Sequence, residues 1–112
     1  MKLVARVPRR KVEEEDLVRI PYPPYDVLVT LLDGVPCAIE DACNHSGASL
    51  SEGYRTRHDC IACPLHGYVF ELRTGKLVIP KGLCEDQRRF HAELEGDDVV
   101  VWDPFEISIS LV

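Results

Sequence analysis

Residues 43–75 of the chain read CNHSGASLSEGYRTRHDCIACPLHGYVFELRTG, and this stretch decides how the rest of the sequence is interpreted. It contains two short pairs that each combine a cysteine with a histidine: Cys43 with His45, and Cys63 with His66. A glycine follows each pair within two residues. Thiolates and imidazoles are frequent metal ligands in proteins. The four side chains therefore predict a metal centre assembled by two loops.

Two thiolates and two imidazoles suit either of two kinds of metal centre. One is a tetrahedral zinc ion closed by two cysteines and two histidines. The other is a [2Fe–2S] cluster in which both histidines bind one iron. Structural zinc sites usually take like residues from one short segment, whereas each segment here supplies one cysteine and one histidine. The spacing favours the iron–sulfur cluster and leaves a structural zinc module as an alternative.

Cys60 complicates this ligand set, because Cys60 and Cys63 form a C-x-x-C pair of their own. Together with Cys43 and His45, that pair would also make a zinc set. It would leave the segment PLHG at 64–67 without a role. Cys60 is therefore predicted to be buried in the strand that leads to the second loop, as free cysteines commonly are. The other cysteines and histidines are predicted to be core or packing residues (Cys37, Cys84) and surface groups (His58, His91).

Composition limits the class of protein. The 112 residues suit one domain. The five cysteines are an odd number, which argues against a full disulfide framework and favours a reducing compartment. We see no apolar run long enough to cross a membrane and no secretory signal, so we expect a cytoplasmic protein. The net charge of −6 argues against a nucleic-acid binder.

Short β-branched and apolar segments alternate with glycine and proline turns along the chain. Asp33-Gly34 predicts a tight hairpin, and residues 9–16 are predicted to be a solvated loop. No helical periodicity supports a helix. Strands are predicted at residues 3–7, 17–20, 27–32, 35–39, 68–72, 76–79, 90–94 and 99–102. Many short strands with such turns predict an all-β sandwich or barrel.

The motif stretch resembles Rieske-type iron–sulfur proteins. The family pattern, Cys-x-His followed by Cys-x-x-His, is met at Cys43, His45, Cys63 and His66. The flanking residues agree at Gly47, Ala48, Leu50, Gly53, Pro64, Gly67, Phe70, Thr74 and Gly75. The resemblance implies an antiparallel β-sandwich or barrel spanning 1–112. A small cluster-binding subdomain at about 43–77 would be inserted in a frame of about 1–42 and 78–112. Residues 107–111 alternate with period two, which predicts an edge strand or flexible tail at 105–112.

The resemblance also implies one [2Fe–2S] cluster per chain. Cys43 and Cys63 would bind the inner iron, and His45 and His66 the outer iron through Nδ1. With neutral histidines the oxidised cluster and its ligands carry a formal charge of about zero, against about two more negative charges for four cysteines. An added electron is therefore easier to accept than in plant-type ferredoxins.

High-potential members of the family have a disulfide between the two loops. The matching positions here are Ala48 and Leu65, so this bridge is absent. Those members also have a serine and a tyrosine after the second histidine, and residues 67–70 offer neither where expected. Backbone amides around Gly47 and Gly67 are then the expected donors to sulfur. We predict a potential at the low end of the Rieske range, roughly −150 mV.

The ferredoxin-type branch of the family implies a monomeric one-electron carrier. It would pass electrons from a flavin-dependent reductase to the terminal oxygenase of an aromatic-attacking system, without contacting nucleic acid or membrane. The chain is not expected to be an enzyme. Once His45 and His66 bind the cluster, only His58 and His91 remain as histidine ligands for the mononuclear iron of an oxygenase. The chain also has no room for a second domain with a substrate pocket. Two alternatives are the small subunit of an NADH-dependent nitrite reductase and the structural zinc module.

Overall fold

A computed structural model of the chain describes residues 1–104. The edge strand or tail predicted at 105–112 lies outside the described residues. In chain order the elements are β1 (Lys2–Pro8), α1 (Arg9–Glu15), β2 (Val18–Ile20), β3 (Val27–Leu32), β4 (Val35–Glu40), a single 3-10 turn (Leu50–Glu52), β5 (Tyr54–Arg57), β6 (Cys60–Ala62), β7 (Val69–Glu71), β8 (Leu77–Ile79), β9 (Arg89–Glu95) and β10 (Asp98–Asp103). No helix within residues 1–104 is long and apolar enough to span a membrane.

The strands form two antiparallel sheets. The larger has six strands in the order β1-β10-β9-β4-β3-β2, and the smaller has four in the order β5-β6-β7-β8. The small sheet is built from consecutive strands that lie between β4 and β9 in the sequence. The predicted all-β antiparallel fold is confirmed. The proposed division at 43–77 stays a prediction, and the small sheet itself continues to Ile79.

The hairpin between β3 and β4 is the predicted one. Asp33 and Gly34 have φ values of 52° and 79°, and two successive positive φ angles are what a type I′ turn requires. The turn sets a register in which Thr30 pairs with Cys37. Cys37 is buried in β4, as predicted.

Residues 9–15 form the helix α1, so the predicted loop is wrong there. Ion pairs four residues apart join Arg9 to Glu13, Arg10 to Glu14 and Lys11 to Glu15. Such exposed pairs stabilise a helix by only a few tenths of a kcal/mol each. Val12, which is 1% exposed, packs into a core cluster with residues of the large sheet. A seven-residue helix with one buried residue has no apolar repeat from which it could be predicted.

One hydrophobic core joins the two sheets and contains both cysteines of the motif. Its buried members are Leu28, Leu32, Cys37, Ile39, Cys43, Leu50, Ile61, Cys63, Phe70, Leu72 and Leu77. Burying this much apolar side chain is the main favourable term that holds the small sheet on the large one. The thiols of the motif therefore lie inside the core that joins the two sheets.

Arg55 of β5 adds a polar connection between the sheets. Its Nε and Nη2 donate to the two carboxylate oxygens of Asp16 at 3.0 and 2.7 Å. Nη2 also donates to the Thr30 hydroxyl at 2.6 Å, and Nη1 to the His58 carbonyl at 2.7 Å. A planar guanidinium bound to both oxygens of a carboxylate fixes orientation as well as distance. Arg55 therefore sets how the small sheet is oriented on the frame.

Candidate metal centre

The first motif loop leaves β4 and is closed by its own backbone. The amide of Cys43 donates to the carbonyl of Ala48 at 2.8 Å, and the amide of Gly47 donates to the carbonyl of Cys43 at 2.7 Å. Gly47 has a φ of 79°, a conformation that costs glycine little and other residues more. The loop therefore makes a tight turn that carries both proposed ligands, Cys43 and His45.

The second loop joins β6 to β7 and repeats this geometry. The amide of Cys63 donates to the carbonyl of Tyr68 at 2.8 Å, and the amide of Gly67 donates to the carbonyl of Cys63 at 3.0 Å. Gly67 again has a positive φ, 72°. The amides of Gly47 and Gly67 themselves donate to carbonyl oxygens, so any backbone donor to sulfur must be a neighbouring amide.

The four predicted ligands lie at two depths. The thiols of Cys43 and Cys63 are 2% and 1% exposed and belong to the core that joins the sheets. The rings of His45 and His66 are exposed, with their centroids 5.1 Å apart. The structure therefore brings the cysteines together inside the molecule and the histidines together at its surface.

This arrangement fits a two-iron cluster better than a single ion. Cys43 and Cys63 are joined by a hydrogen bond in the core, whereas the rings of His45 and His66 contact each other at the surface. A tetrahedral zinc site needs four such ligands around one centre. A pair of thiols and a separate pair of imidazoles instead provides one ligand pair for each iron of a [2Fe–2S] cluster. We retain Cys43, His45, Cys63 and His66 as the proposed ligands.

The surroundings of Cys63 favour the thiolate that an iron ligand must become. Burial raises the pKa of the Cys63 thiol, but several hydrogen bonds outweigh it and the pKa lies below the ordinary value. These bonds come from the Ser46 hydroxyl, the backbone amides of Leu65 and His66, and the Cys43 side chain. In the second loop, backbone amides next to Gly67 therefore donate to sulfur, as the sequence predicts for this segment.

The three cysteines outside the motif pairs have raised thiol pKa values, in contrast to Cys63. Burial raises the pKa of the thiols of Cys37, Cys60 and Cys84 above the ordinary value. A neutral thiol inside a protein behaves as a small hydrophobic side chain. The environments of these three cysteines therefore favour the neutral thiol over the thiolate that binds iron. Cys84, in the loop before β9, packs partly buried against the core that contains Cys43.

Strand geometry separates Cys60 from Cys63. Successive side chains of a strand point to opposite faces of the sheet. Cys60 and Ala62 pack with Val69 in a small cluster, whereas Ile61 and Cys63 belong to the core between the sheets. The burial of Cys60 in β6 is confirmed, at 1% exposure. His58 and His91 also lie where predicted, on the surface, each beside a carboxylate.

Tyr68 is a site residue whose role the sequence did not reveal. Its ring stacks on that of His45, with centroids 3.9 Å apart and planes inclined by 6°. Tyr68 belongs to the second loop and His45 to the first, so the contact crosses between loops. Stacking holds the His45 imidazole in one orientation, which is a different use of a tyrosine from donating a hydrogen bond to sulfur.

Gln87 is a second residue that sequence reasoning missed. Its side chain is buried just before β9 and donates from Nε2 to the carbonyls of Glu40 and Ala42 at 2.8 and 2.7 Å. Its Oε1 accepts from the amide of Asn44 at 2.7 Å. One carboxamide thus fixes the backbone between Cys43 and His45. The backbone amide of Gln87 also donates to the Gly75 carbonyl, at 2.7 Å.

Comparison with known proteins identifies the family of the chain. Residues 3–84 match the family model of the Rieske [2Fe–2S] domain. The ferredoxin component of biphenyl 2,3-dioxygenase from Rhodococcus jostii (strain RHA1) is 39% identical over 87 residues, covering 77% of this chain and 78% of that protein. The ferredoxin subunit of 3-phenylpropionate/cinnamic acid dioxygenase from Escherichia coli (strain K12) is 33% identical over 102 residues, covering 90% and 93%.

A solved structure has the same fold along nearly its whole length. It is a chain from the complex of reduced oxygenase and oxidized ferredoxin in carbazole 1,9a-dioxygenase, with a TM-score of 0.76 and 26% identity, covering 96% of this chain and 95% of that one. The matching loops, the buried thiols under exposed imidazoles and these relatives lead to one conclusion. The chain belongs to the Rieske [2Fe–2S] family, as a ferredoxin that holds one [2Fe–2S] cluster and transfers electrons rather than catalysing a reaction itself.

Proposed function

We propose that this ferredoxin takes single electrons from a flavin-dependent reductase and delivers them to the terminal oxygenase of a ring-hydroxylating dioxygenase system. The observation that carries the proposal is the pair of exposed imidazoles, His45 and His66, above two buried thiols. A cluster held there supplies one-electron redox chemistry. The chain's own part is to keep the sulfur side of the site dry and to leave the histidine edge open to a partner.

The surface around this edge suits a weak and transient contact. Pro64 and Leu65 are exposed directly beside His66, and Leu65 exposes 60% of its surface. A small apolar patch at the electron exit lets a partner approach closely without the large interface of a permanent complex. This supports a monomeric carrier that leaves each partner after one transfer. The five unpaired cysteines support a reducing, cytoplasmic location.

The relatives named above favour a dioxygenase system over nitrite reduction. Both relatives are ferredoxin components of dioxygenases, and the solved structure contains an oxygenase together with its ferredoxin. The separation of two buried thiols from two exposed imidazoles disfavours the zinc module. We infer a reduction potential at the low end of the Rieske range, roughly −150 mV. The absence of a disulfide among the five cysteines supports this value.

Reconstituted turnover tests the proposal. The loaded protein is added to the reductase and oxygenase of the biphenyl 2,3-dioxygenase system, and of the 3-phenylpropionate system, in place of their own ferredoxins. We expect NADH-dependent hydroxylated product from at least one system, because the electron exit and its apolar rim are present. The matched control is the Cys63→Ala chain, which should give no product. No product from either system, together with NADH-dependent nitrite reduction alongside a large nitrite reductase subunit, would establish the alternative.

A further inference from the structure

Ser46 reaches across from the first loop to the sulfur of the second. Its Oγ lies 3.4 Å from the Sγ of Cys63, and both atoms are at least partly buried. The sequence offers no sign of this contact, because Ser46 stands in the first motif loop and the ligand it touches stands in the other. A hydroxyl next to an iron-ligating sulfur can influence the charge on that sulfur.

The direction of the hydrogen bond follows from the neighbours of the hydroxyl. The backbone amide of Ala48 donates to Ser46 Oγ at 3.3 Å, so the oxygen is already serving as an acceptor. A cysteine that binds iron does so as a thiolate, which has no hydrogen to give. The remaining hydrogen, on Ser46 itself, therefore points to Cys63 Sγ. The contact is an O–H···S hydrogen bond donated by Ser46.

We propose that Ser46 is a positioning residue that raises the reduction potential by donating a hydrogen bond to the thiolate of Cys63. The inference rests on the carrier function proposed above. One electron taken from the reductase would add one negative charge to the cluster and its ligands, and no covalent bond would form or break. A donor fixed toward that sulfur stabilises the reduced state more than the oxidised one. The partly buried site strengthens this effect, because little water screens the charge.

A simpler role for Ser46 would be confined to its own loop. Its hydroxyl accepts from the amide two residues ahead, which is the local turn that serines often form. That role would affect the stability of the loop but not the charge on Cys63. The two roles therefore predict different results for the reduction potential, and the potential is the quantity to measure.

Three variants separate the two roles. Ser46→Ala removes the donor, Ser46→Thr keeps a hydroxyl at the same position, and Ser49→Ala removes another hydroxyl of the same segment. Ser49 donates to the buried Asp41 carboxylate and contacts Ser51, and within residues 1–104 it forms no hydrogen bond to a motif thiol. It is therefore the matched control for lost loop stability without a lost bond to sulfur.

Protein-film voltammetry on the loaded proteins provides the measurement, and denaturant unfolding provides the stability readout. We expect the equilibrium constant for reduction to fall about tenfold in Ser46→Ala, which is a shift of about 59 mV to lower potential for one electron. Ser46→Thr should recover most of the shift, and Ser49→Ala should lower stability without moving the potential. Suppose that the wild-type protein gives a normal reversible wave. An unchanged reduction potential in Ser46→Ala, or an equal shift in Ser49→Ala, would then overturn this inference without affecting the carrier function. A wild-type protein without any reversible wave would overturn both.

Discussion

Replacing Cys63 with alanine will remove the iron and the acid-labile sulfide from the protein, whereas replacing Cys60 with alanine will leave both in place. Cys63 lies at the core between the sheets, in hydrogen-bond contact with Cys43, and its surroundings favour the thiolate. Cys60 faces the small cluster on the other side of β6. Burial raises the pKa of its thiol, so its environment favours the neutral form.

The two substitutions are well matched. Both cysteines are 1% exposed and flank the short strand β6, since Cys60 begins the strand and Cys63 follows its last residue. Each change removes one buried sulfur atom, so the cost of the cavity should be similar. A difference in iron content then reports ligation rather than general loss of stability.

Iron and sulfide analysis, with visible absorbance, gives the readout. We expect about one cluster per chain in Cys60→Ala and no bound iron in Cys63→Ala. Unfolding curves of the two apo proteins check that both variants fold. If Cys60→Ala lost its iron while Cys63→Ala kept it, the ligand set would have to be reassigned to include Cys60.

The second large effect is expected from Gly75→Ala, which should destabilise the protein by about 3 kcal/mol or more. Gly75 has a φ of 79°, and a Cβ built there would lie 2.2 Å from the backbone oxygen of Gln87. Backbone atoms cannot rotate away as a flexible side chain would. The substitution must therefore displace Gln87, whose carboxamide holds the amide of Asn44 between two of the proposed ligands.

Gly82→Ala is the control for backbone strain alone. Gly82 has nearly the same φ, 78°, but a Cβ there would meet no atom within 4 Å. Gly82→Ala should lower the free energy of unfolding by about 1 kcal/mol, which is the cost of holding an alanine in the left-handed conformation. Denaturant unfolding measures both changes, and the rate of cluster loss from the native protein should rise for Gly75→Ala much more than for Gly82→Ala. Equal destabilisation by the two would show that the contact with Gln87 has no role.

The features that could be predicted from sequence are those whose chemistry is local. Cys43 and His45 stand two residues apart, and Cys63 and His66 three, so the ligand types and their loops are visible in short segments. The Asp33-Gly34 hairpin is equally local, since the turn type depends on two residues. These segments were enough to predict the antiparallel fold and the residues of the candidate site.

The features that were missed depend on contacts across the chain. Ser46 and Cys63 are 17 residues apart, and Asn44 and Gln87 are 43 apart. The sequence around a loop serine, or around a glutamine before a strand, does not indicate which distant residue its side chain will bind. The helix α1 was missed for another reason. It is held to the protein by Val12, whose burial depends on the large sheet rather than on a repeat within the helix.

The most direct test of the ligand assignment is pulsed EPR spectroscopy of the chemically reduced protein. We expect the unpaired electron to be strongly coupled to two histidine nitrogens, because His45 and His66 are the proposed ligands of one iron. Each coupling should disappear when the corresponding histidine is replaced. A paramagnetic cluster without nitrogen coupling, or a colourless protein that contains zinc and no sulfide, would contradict the assignment of Cys43, His45, Cys63 and His66 as the ligands of a Rieske cluster.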